Sequence, residues 1–412
     1  MRVSNAILWL VLLLPSAARA QDAGRDERLR ELSIRLGDED YATRERAERD
    51  LLKEDESAIE PLRAILGRTE DLTAKEGLLR VLHALEIRSI GVRAMVLPRE
   101  EGTVSDLYLW EPGRETRLTE DAHVESYATW SPDGNRIAFS ARTGPDRWTI
   151  CVMDAAGGSR RELTDESGYC VAPAWSPDGS AIAYMAREGD DDWDVFVIGA
   201  DGTGGRRLTR RLGFDGYPAW SPDGSRIAFE SDRGGTGNIF TVDPDGGDER
   251  QITQSPLPTL SRFEWSPDGR RIGFVAGHGP YSWDIFVTDA EGGEPTKLTE
   301  RSYSHLGFSW SPDGARIAYT TSTATGKFDP ALPPEAGLFV AAADGEEPRR
   351  LAEDADTISP CFSPDGRWVL YVTVDLRIRA VGIEGAPVLD LARMSVADSA
   401  YHYSFRPAVR DR

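Results

Sequence analysis

Cysteine is scarce in this chain of 412 residues, which contains three. A count this small and odd excludes a scaffold stapled by several disulfides and allows one bridge at most. Cys151 and Cys170 are close enough in the chain to form that bridge. Three reduced thiols are the favoured alternative, because a chain of this length needs no staple to fold.

Catalytic motifs are missing as well. The sequence has no G-x-S-x-G nucleophile elbow, no H-E-x-x-H motif and no paired-cysteine metal motif. We therefore predict that the protein is not an enzyme and that it uses no cofactor and no metal.

Positive charge is in deficit, with 48 Lys and Arg against 69 Asp and Glu, a formal net charge of −21. This acidity disfavours DNA or RNA as a partner, since both are polyanions. A hydrophobic content of 40% is too high for a disordered chain. The 40 Gly and 25 Pro follow no three-residue period, which excludes collagen and indicates a fold rich in turns.

Long apolar runs are absent apart from one near the start of the chain, Ala6 to Leu14. It follows Arg2 and precedes Pro15 and an A-x-A site at 18–20, the pattern of a signal peptide. The run is too short to span a bilayer. We expect residues 1–20 to be cleaved and the protein to be periplasmic or secreted, without membrane insertion.

Residues 21–89 have the composition and spacing of short helices, with Gly37 and Thr73 as a helix stop and a helix cap. We predict a bundle of about four helices. The stretch DEDYATRERAERDLLKEDESAIEPLR resembles the HEAT-like helical units of some exported bacterial proteins. Its charges are expected to form a solvated face, with a docking surface as the alternative.

The rest of the chain is a repeat. Five tryptophans spaced 45 residues apart each precede Ser-Pro-Asp-Gly: Trp130, Trp175, Trp220, Trp265 and Trp310. Phe362 opens a sixth copy after 52 residues, the extra length falling around 326–337, and Phe405-Arg406-Pro407 resembles a degenerate seventh. Each copy contains four strand-like segments, and the fourth ends near a Leu-Thr pair such as Leu163-Thr164. Four-stranded units of this length are typical of β-propeller blades.

The ends of the repeat predict how the ring closes. Second, third and fourth strands without a first strand precede Trp130, at 94–97, 107–109 and 117–119, and a lone first strand follows at 403–407. One shared blade would join the two ends and leave no open sheet edge. We therefore predict a mainly β fold in which residues 90–412 form a seven-bladed propeller. Six blades is the alternative.

The repeat P-x-W-S-P-D-G-x-x-I-A-F, with D-I-F-V and G-G-x-x-x-x-L-T, resembles that of the TolB-like β-propeller family of Tol–Pal translocation proteins. The resemblance covers residues 90–412 and implies the propeller fold. The same repeat occurs in propellers of prolyl oligopeptidase-like and tricorn-like peptidases and of some polysaccharide lyases. TolB itself has an α/β domain before six blades, whereas this chain begins with a helical segment.

The repeated Trp and turn Asp are expected to be structural, in the core and in the turn. Function is expected in the loops that lead from a fourth strand to the next first strand, since these gather at one mouth of the central channel. Their aromatic and charged residues predict a protein or peptide site. The predicted channel-mouth residues are His123, Tyr127, Tyr169, Phe214, Tyr217, Arg262, Phe263, Tyr303, His305, Tyr401, His402 and Tyr403, with rim residues Trp148, Trp193 and Trp283 in loops on the same side.

The expected partner is an envelope or secreted protein or peptide, bound by a monomer. The alternative is an enzyme, a propeller lyase or hydrolase with a metal at the same mouth, held by His123, His305 and His402 if the fold brings them together. A calcium site at 190–192 with Asp194 is a further alternative to simple solvation of these carboxylates.

Overall fold

The structure is a computed structural model in which the chain divides into two compact units, Met1–Ser89 and Ile90–Arg412. It describes residues 16–89, 93–98, 105–111, 114–120, 123–145, 147–164, 168–187, 192–254, 259–279, 282–299, 304–322, 337–353, 360–373, 377–384, 388–393 and 403–405. Among these residues, no helix combines the length and apolarity that a membrane crossing requires.

The first unit is helical, as predicted. Its elements are α1 Ser16–Arg35, α2 Tyr41–Leu51, a short 3-10 helix Glu56–Ala58, α3 Ile59–Leu66 and α4 Leu72–Ser89. Residues at helical spacing, including Leu29, Leu62 and Leu78, are buried in one core. Thr73 was the wrong cap for α4: the helix begins one residue earlier, and Asp71 accepts a hydrogen bond from the Ala74 N–H at 2.7 Å.

The second unit consists of strands. In chain order they are β1 Arg93–Pro98, β2 Ser105–Glu111, β3 Arg114–Arg117, β4 Val124–Trp130, β5 Arg136–Gly144, β6 Arg147–Asp154, β7 Arg161–Glu162, β8 Tyr169–Trp175, β9 Ala181–Arg187, β10 Asp194–Gly199, β11 Arg206–Arg207, β12 Asp215–Trp220, β13 Ile227–Ser231, β14 Asn238–Val242, β15 Arg250–Gln251, β16 Thr259–Trp265, β17 Arg271–Gly279, β18 Ser282–Asp289, β19 Thr296–Lys297, β20 Ser304–Trp310, β21 Arg316–Ser322, β22 Gly337–Ala342, β23 Arg349–Ala352, β24 Cys361–Phe362, β25 Trp368–Val372, β26 Arg377–Gly382, β27 Leu389–Arg393 and β28 Tyr403–Phe405.

From β4 onward these strands pair as antiparallel groups of four, which we name after the aromatic residue that ends the first strand. The Trp130 unit is β4–β7, and the Trp175, Trp220, Trp265, Trp310 and Phe362 units follow in order. Before them, β1 pairs with β2 and β2 with β3. The C-terminal strand β28 adds to the other edge of β1, with Ala94 opposite Ser404.

The Ser-Pro-Asp-Gly turn is stabilised by its own side chains. In the Trp220 unit the Ser221 hydroxyl donates to Asp223 at 2.6 Å and accepts from the Arg226 N–H at 3.0 Å, and Gly224 has a φ of +73°. The hydrogen bond from Ser221 holds the pKa of the Asp223 carboxyl below its ordinary value. The turn Asp is therefore structural.

In four units the repeated Trp ties the unit to the one before it. The Trp265 indole N–H donates to the Ala219 carbonyl at 3.1 Å, and the Trp175, Trp220 and Trp310 indoles do the same one unit apart. Trp265 is buried, so this bond forms away from water, where an unpaired indole N–H would be costly. The Trp is thus a packing and registry residue.

In five of the four-stranded groups a threonine after the fourth strand completes the sheet. Sequence analysis ended the fourth strand at Leu163-Thr164, but β7 ends at Glu162 and the Thr164 hydroxyl accepts from the Ile150 N–H at 3.0 Å. Thr119, Thr209, Thr253 and Thr299 accept equivalent bonds. A side chain here replaces the missing carbonyl of a longer fourth strand.

Candidate functional site

A β-bulge interrupts the first strand of several units just before the Trp. The register between first and second strands shifts between Ser126 and Thr129, between Val171 and Ala174, and between Gly216 and Ala219. Bulges bend a strand and re-aim its side chains, and they are frequent beside functional sites.

The bulge places a residue with a side chain in left-handed backbone conformation, three positions before the Trp. Tyr127 has a φ of +53°, Ala172 of +55° and Tyr217 of +52°. Each costs about 1–2 kcal/mol relative to right-handed backbone for a non-glycine residue. Such residues persist only where their surroundings hold them.

The unit before supplies that support. The Ala172 N–H donates to the Ser140 hydroxyl at 3.1 Å, and the Tyr217 N–H lies 3.4 Å from the Met185 sulfur. Ser140 and Met185 occupy the same second-strand position in consecutive units. Gly216 fits because a Cβ there would lie 2.6 Å from the Phe214 ring.

The bulges bring predicted residues from three units together. Val171, Ala172 and Met185 are buried, and half-buried side chains pack on them: Tyr127, Trp148, Trp193, Phe214 and Tyr217. We call these five, with Tyr169, the aromatic patch. The Phe214 and Tyr217 rings are 5.8 Å apart, and Tyr169 meets Trp193 edge-on at 6.4 Å.

The patch also contains polar and charged groups. Burial, the negative charge that Tyr217 would carry, and a hydrogen bond with Tyr217 raise the pKa of Tyr127 to about 12. The Arg187 guanidinium carbon lies 4.7 Å from the Tyr169 ring centre and 5.4 Å from that of Trp193, within cation–π distance of both. The arrangement suits a ligand that offers apolar groups together with hydrogen-bonding ones.

Buried ion pairs fix the strand beside the patch. The Asp215 carboxylate accepts two hydrogen bonds from Arg233, at 2.8 and 2.7 Å, and Arg233 also pairs with Glu249 at 2.5 Å. The Asp215 N–H donates to the Trp193 carbonyl at 2.9 Å, which anchors one end of the patch. Sequence analysis did not identify Arg233. No signal marked it, because its partner lies in a different strand.

Several predicted residues lie in strands and not in the loops in which they were expected. Tyr127, Tyr169, Tyr217 and Arg262 lie within first strands, because pairing with the second strand resumes beyond the bulge. The first-strand range also contains Phe263, His305 and Tyr403. Trp148 and Trp283 were also wrongly placed in loops: both lie in third strands, where they bridge to Tyr169 and Ser304 of the next first strand.

Other predicted residues are not part of the patch. Phe263 packs on the core around Ile239 and Trp265, and His123 and Arg262 are half-buried. Only the backbone of His305 and Tyr403 is described, and Tyr303, Tyr401 and His402 lie outside the described residues, as do most of 326–337.

The predicted metal alternatives find little support in the described part of the chain. No group of three His, Cys, Asp or Glu there is arranged to hold an ion. Asp194 is buried, accepts from Thr209 at 3.0 Å and pairs with Arg207, while 190–191 lie outside the described residues. None of the three cysteines forms a disulfide.

Comparison with known proteins gives the family. Residues 114–327 match the family described as "TolB beta propeller domain". No curated protein matches the chain. Among solved structures it is similar to TolB from Acinetobacter baumannii, with 21% identity over 68% of this chain and 70% of that one and a TM-score of 0.48.

Two enzymes share the fold. An oligogalacturonate lyase in complex with manganese is 18% identical over 71% of this chain and 84% of its own, with a TM-score of 0.55. A mutant puromycin hydrolase complexed with PGG is 17% identical over 67% and 47%, with a TM-score of 0.50. At these identities the likeness concerns the fold alone. The family match covers more than half of the chain and includes the whole of the Trp130, Trp175, Trp220 and Trp265 units, so the chain belongs to the TolB β-propeller domain family.

Proposed function

We propose that the protein is an exported scaffold without enzymatic activity, which binds a protein or peptide segment at the aromatic patch. The observation that carries the proposal is the way the patch is built. Two tyrosines, Tyr127 and Tyr217, are held in strained backbone so that their rings meet other aromatic side chains at one place. Strain of this kind is concentrated at functional sites, whereas plain packing does not require it.

The chemistry of the patch suits a protein partner. Tyr and Trp combine large apolar surfaces with one polar group each, and they dominate the binding energy of protein interfaces. The patch rings are half-buried, so a partner can cover surface that remains exposed. Its first strands belong to the Trp130, Trp175 and Trp220 units, and first strands line the central channel of a propeller.

The complete ring is proposed to have seven blades. The antiparallel group β28–β1–β2–β3 contains strands from both ends of the second unit, residues 90–412. This supports a blade that the two ends share. A closed ring has no sheet edge open to other chains and would hold the patch rigidly.

Export completes the proposal. Residues 1–20 act as a cleaved signal peptide and bring the chain to the periplasm or the extracellular medium, where it acts as a monomer in envelope integrity or transport. Residues 21–89 offer a second docking surface. Leu72 and Leu79 of α4 support this role, because they are 75% and 54% exposed.

Affinity capture from an envelope extract tests the binding site. The wild type is expected to retain one or more proteins that a Phe214→Ala, Tyr217→Ala variant loses, by a factor of about ten or more, since hot-spot aromatics contribute about 2 kcal/mol each. The matched control is Val388→Ala, which removes an exposed apolar side chain outside the patch. A Leu72→Ala, Leu79→Ala variant tests the helices. Equal recovery by the wild type and the patch variant would refute the proposed site.

A further inference from the structure

Arg187 differs from the other arginines of the second unit that stack on aromatic rings. Arg160, Arg233 and Arg271 each lie over an aromatic ring and also interact with an oxygen: Arg160 with Glu125, Arg233 with Asp215 and Arg271 with the Gly314 carbonyl. Arg136, over Trp175, donates to the Gly179 carbonyl. In these cases the ring holds the guanidinium plane and the oxygen receives its N–H groups.

Arg187 has the rings without the oxygen. Its guanidinium carbon lies over Tyr169 and Trp193, at 4.7 and 5.4 Å. Its Nε is buried without a hydrogen-bond partner, and within the described part of the chain no carboxylate pairs with it. An unpaired buried N–H of a charged group is costly, so a group that accepts from it would bind with a gain.

We propose that Arg187 binds the C-terminal carboxylate of the partner's polypeptide chain, an inference that rests on the proposed function. A carboxylate offers two oxygens in the geometry that a guanidinium fork prefers, as the Asp215–Arg233 pair shows in this same chain. The neighbouring rings of Trp193, Phe214 and Tyr217 would contact the apolar side chains that precede the terminus.

The charge of the protein favours a chain terminus over an acidic segment. With a formal net charge of −21, the chain repels a partner segment rich in Asp and Glu. The one positive charge of Arg187 matches the one carboxylate of a chain end, which brings no further negative charge. Asp192, which precedes Trp193, and Asp232, which accepts from the Phe214 N–H at 2.7 Å, are both exposed and add to this selection.

The neighbouring unit provides a matched control. Arg142 occupies the position of Arg187 in the Trp130 unit, twelve residues after the Trp. It donates to the Gly144 and Pro145 carbonyls at 3.2 and 2.7 Å, so its guanidinium is already paired. Arg142→Gln changes the charge as Arg187→Gln does, without removing the proposed anchor.

The test uses the full chain, immobilised, and three libraries of acetylated hexapeptides with random residues. One library ends in a free carboxylate, one in an amide, and one in an amide with an internal Asp. We expect the wild type and Arg142→Gln to retain the free-acid library about tenfold or more over both amide libraries. Arg187→Gln should abolish this preference and Arg187→Lys, which cannot form the fork, should reduce it.

Each of the other outcomes would refute one defined part of the proposal. Equal retention of acids and both amides would overturn the role of Arg187 while the proposed peptide site stands. Retention of the internal-Asp library equal to the free acids would overturn the chain terminus as the source of the carboxylate. No retention of any library would count against the proposed function itself. Thermal unfolding of each variant establishes that it is folded, and Arg187→Lys supplies the result if Arg187→Gln is not.

Discussion

The Tyr127 and Tyr217 side chains, two units apart in the chain, interact with each other, and both residues have left-handed backbone. This contact thus joins two strained positions across the intervening Trp175 unit. Because burial and this contact raise the pKa of Tyr127 to about 12, Tyr127 stays neutral at physiological pH. Replacing Tyr217 by Phe removes the hydroxyl and its charge while keeping the ring.

The Tyr217→Phe variant should therefore show a lower pKa at Tyr127, still above the ordinary value of 10 because burial remains. Absorbance at high pH measures it, with Tyr127→Phe identifying the signal by difference. Tyr41→Phe, on an exposed residue of α2, is the control and should leave the signal unchanged. An unaltered Tyr127 titration in Tyr217→Phe would show that the hydroxyl pair does not exist.

The bulge predicts that an Ala→Gly substitution has different effects on stability at two positions of one strand, Ala172 and Ala174. Ala172 is left-handed, so Ala172→Gly relieves strain and should leave stability unchanged or raise the free energy of unfolding by up to about 1 kcal/mol. Ala174 lies in the same strand and pairs with Ala183 in regular register. Ala174→Gly should lower the free energy of unfolding by about 0.5–1 kcal/mol. Urea denaturation measures both, and equal losses would contradict the bulge geometry.

The threonine after the fourth strand should contribute more to the free energy of unfolding than a surface threonine does. Thr209 is buried, accepts from the Val195 N–H and donates to Asp194, both at 3.0 Å. Thr209→Val leaves a buried N–H and a buried carboxylate without that partner, at a cost of about 2–3 kcal/mol. Thr203→Val, in an exposed turn of the same unit, should cost under about 1 kcal/mol. Similar unfolding midpoints for the two variants would refute the proposed role.

Glu264 should make stability depend on pH near neutrality. Its burial raises the pKa from the ordinary 4.5 to about 8, against a hydrogen bond that lowers it. The folded protein therefore holds a proton that the unfolded chain releases, and the free energy of unfolding falls as the pH rises from about 4.5 to about 8. Because the residue keeps some solvent exposure, water screens the effect, and we expect a change of about 2 kcal/mol in the free energy of unfolding.

The Glu264→Gln variant should lose that slope and be more stable than the wild type at pH 8, with no difference at pH 4. Urea denaturation at a series of pH values measures the slope. The exposed Glu294 provides the control, and Glu294→Gln should keep the wild-type pH dependence. A slope that persists in Glu264→Gln belongs to another group.

The architecture of the second unit could be predicted because the same local interactions recur in its repeats. The 45-residue period, the Ser-Pro-Asp-Gly turn and the buried Trp each have a local cause that the sequence displays. The aromatic residues Tyr127 and Tyr217 were also identifiable, because they stand at equivalent positions before the Trp. Their left-handed backbone was not, since Ala172 occupies the same position in the unit between them.

Contacts that cross from one unit to the next were beyond sequence reasoning. Met185 is an ordinary apolar strand residue by sequence, yet its sulfur lies against the Tyr217 N–H of the next unit. Arg187 is the last residue of the same strand and lies in no sequence motif. Phe263 was predicted at the mouth with its neighbours, but a strand alternates its faces, and this ring points to the core.

Photo-crosslinking at Phe214 in growing cells tests the central claim that the aromatic patch binds a partner protein. A photoreactive phenylalanine replaces Phe214 in one variant and Val388 in the other, and the adducts are separated by size and identified by mass spectrometry. A discrete protein adduct at position 214, absent at 388 and lost when Tyr217→Ala is added, is the predicted result. No adduct at 214 beyond that at 388 would contradict the claim.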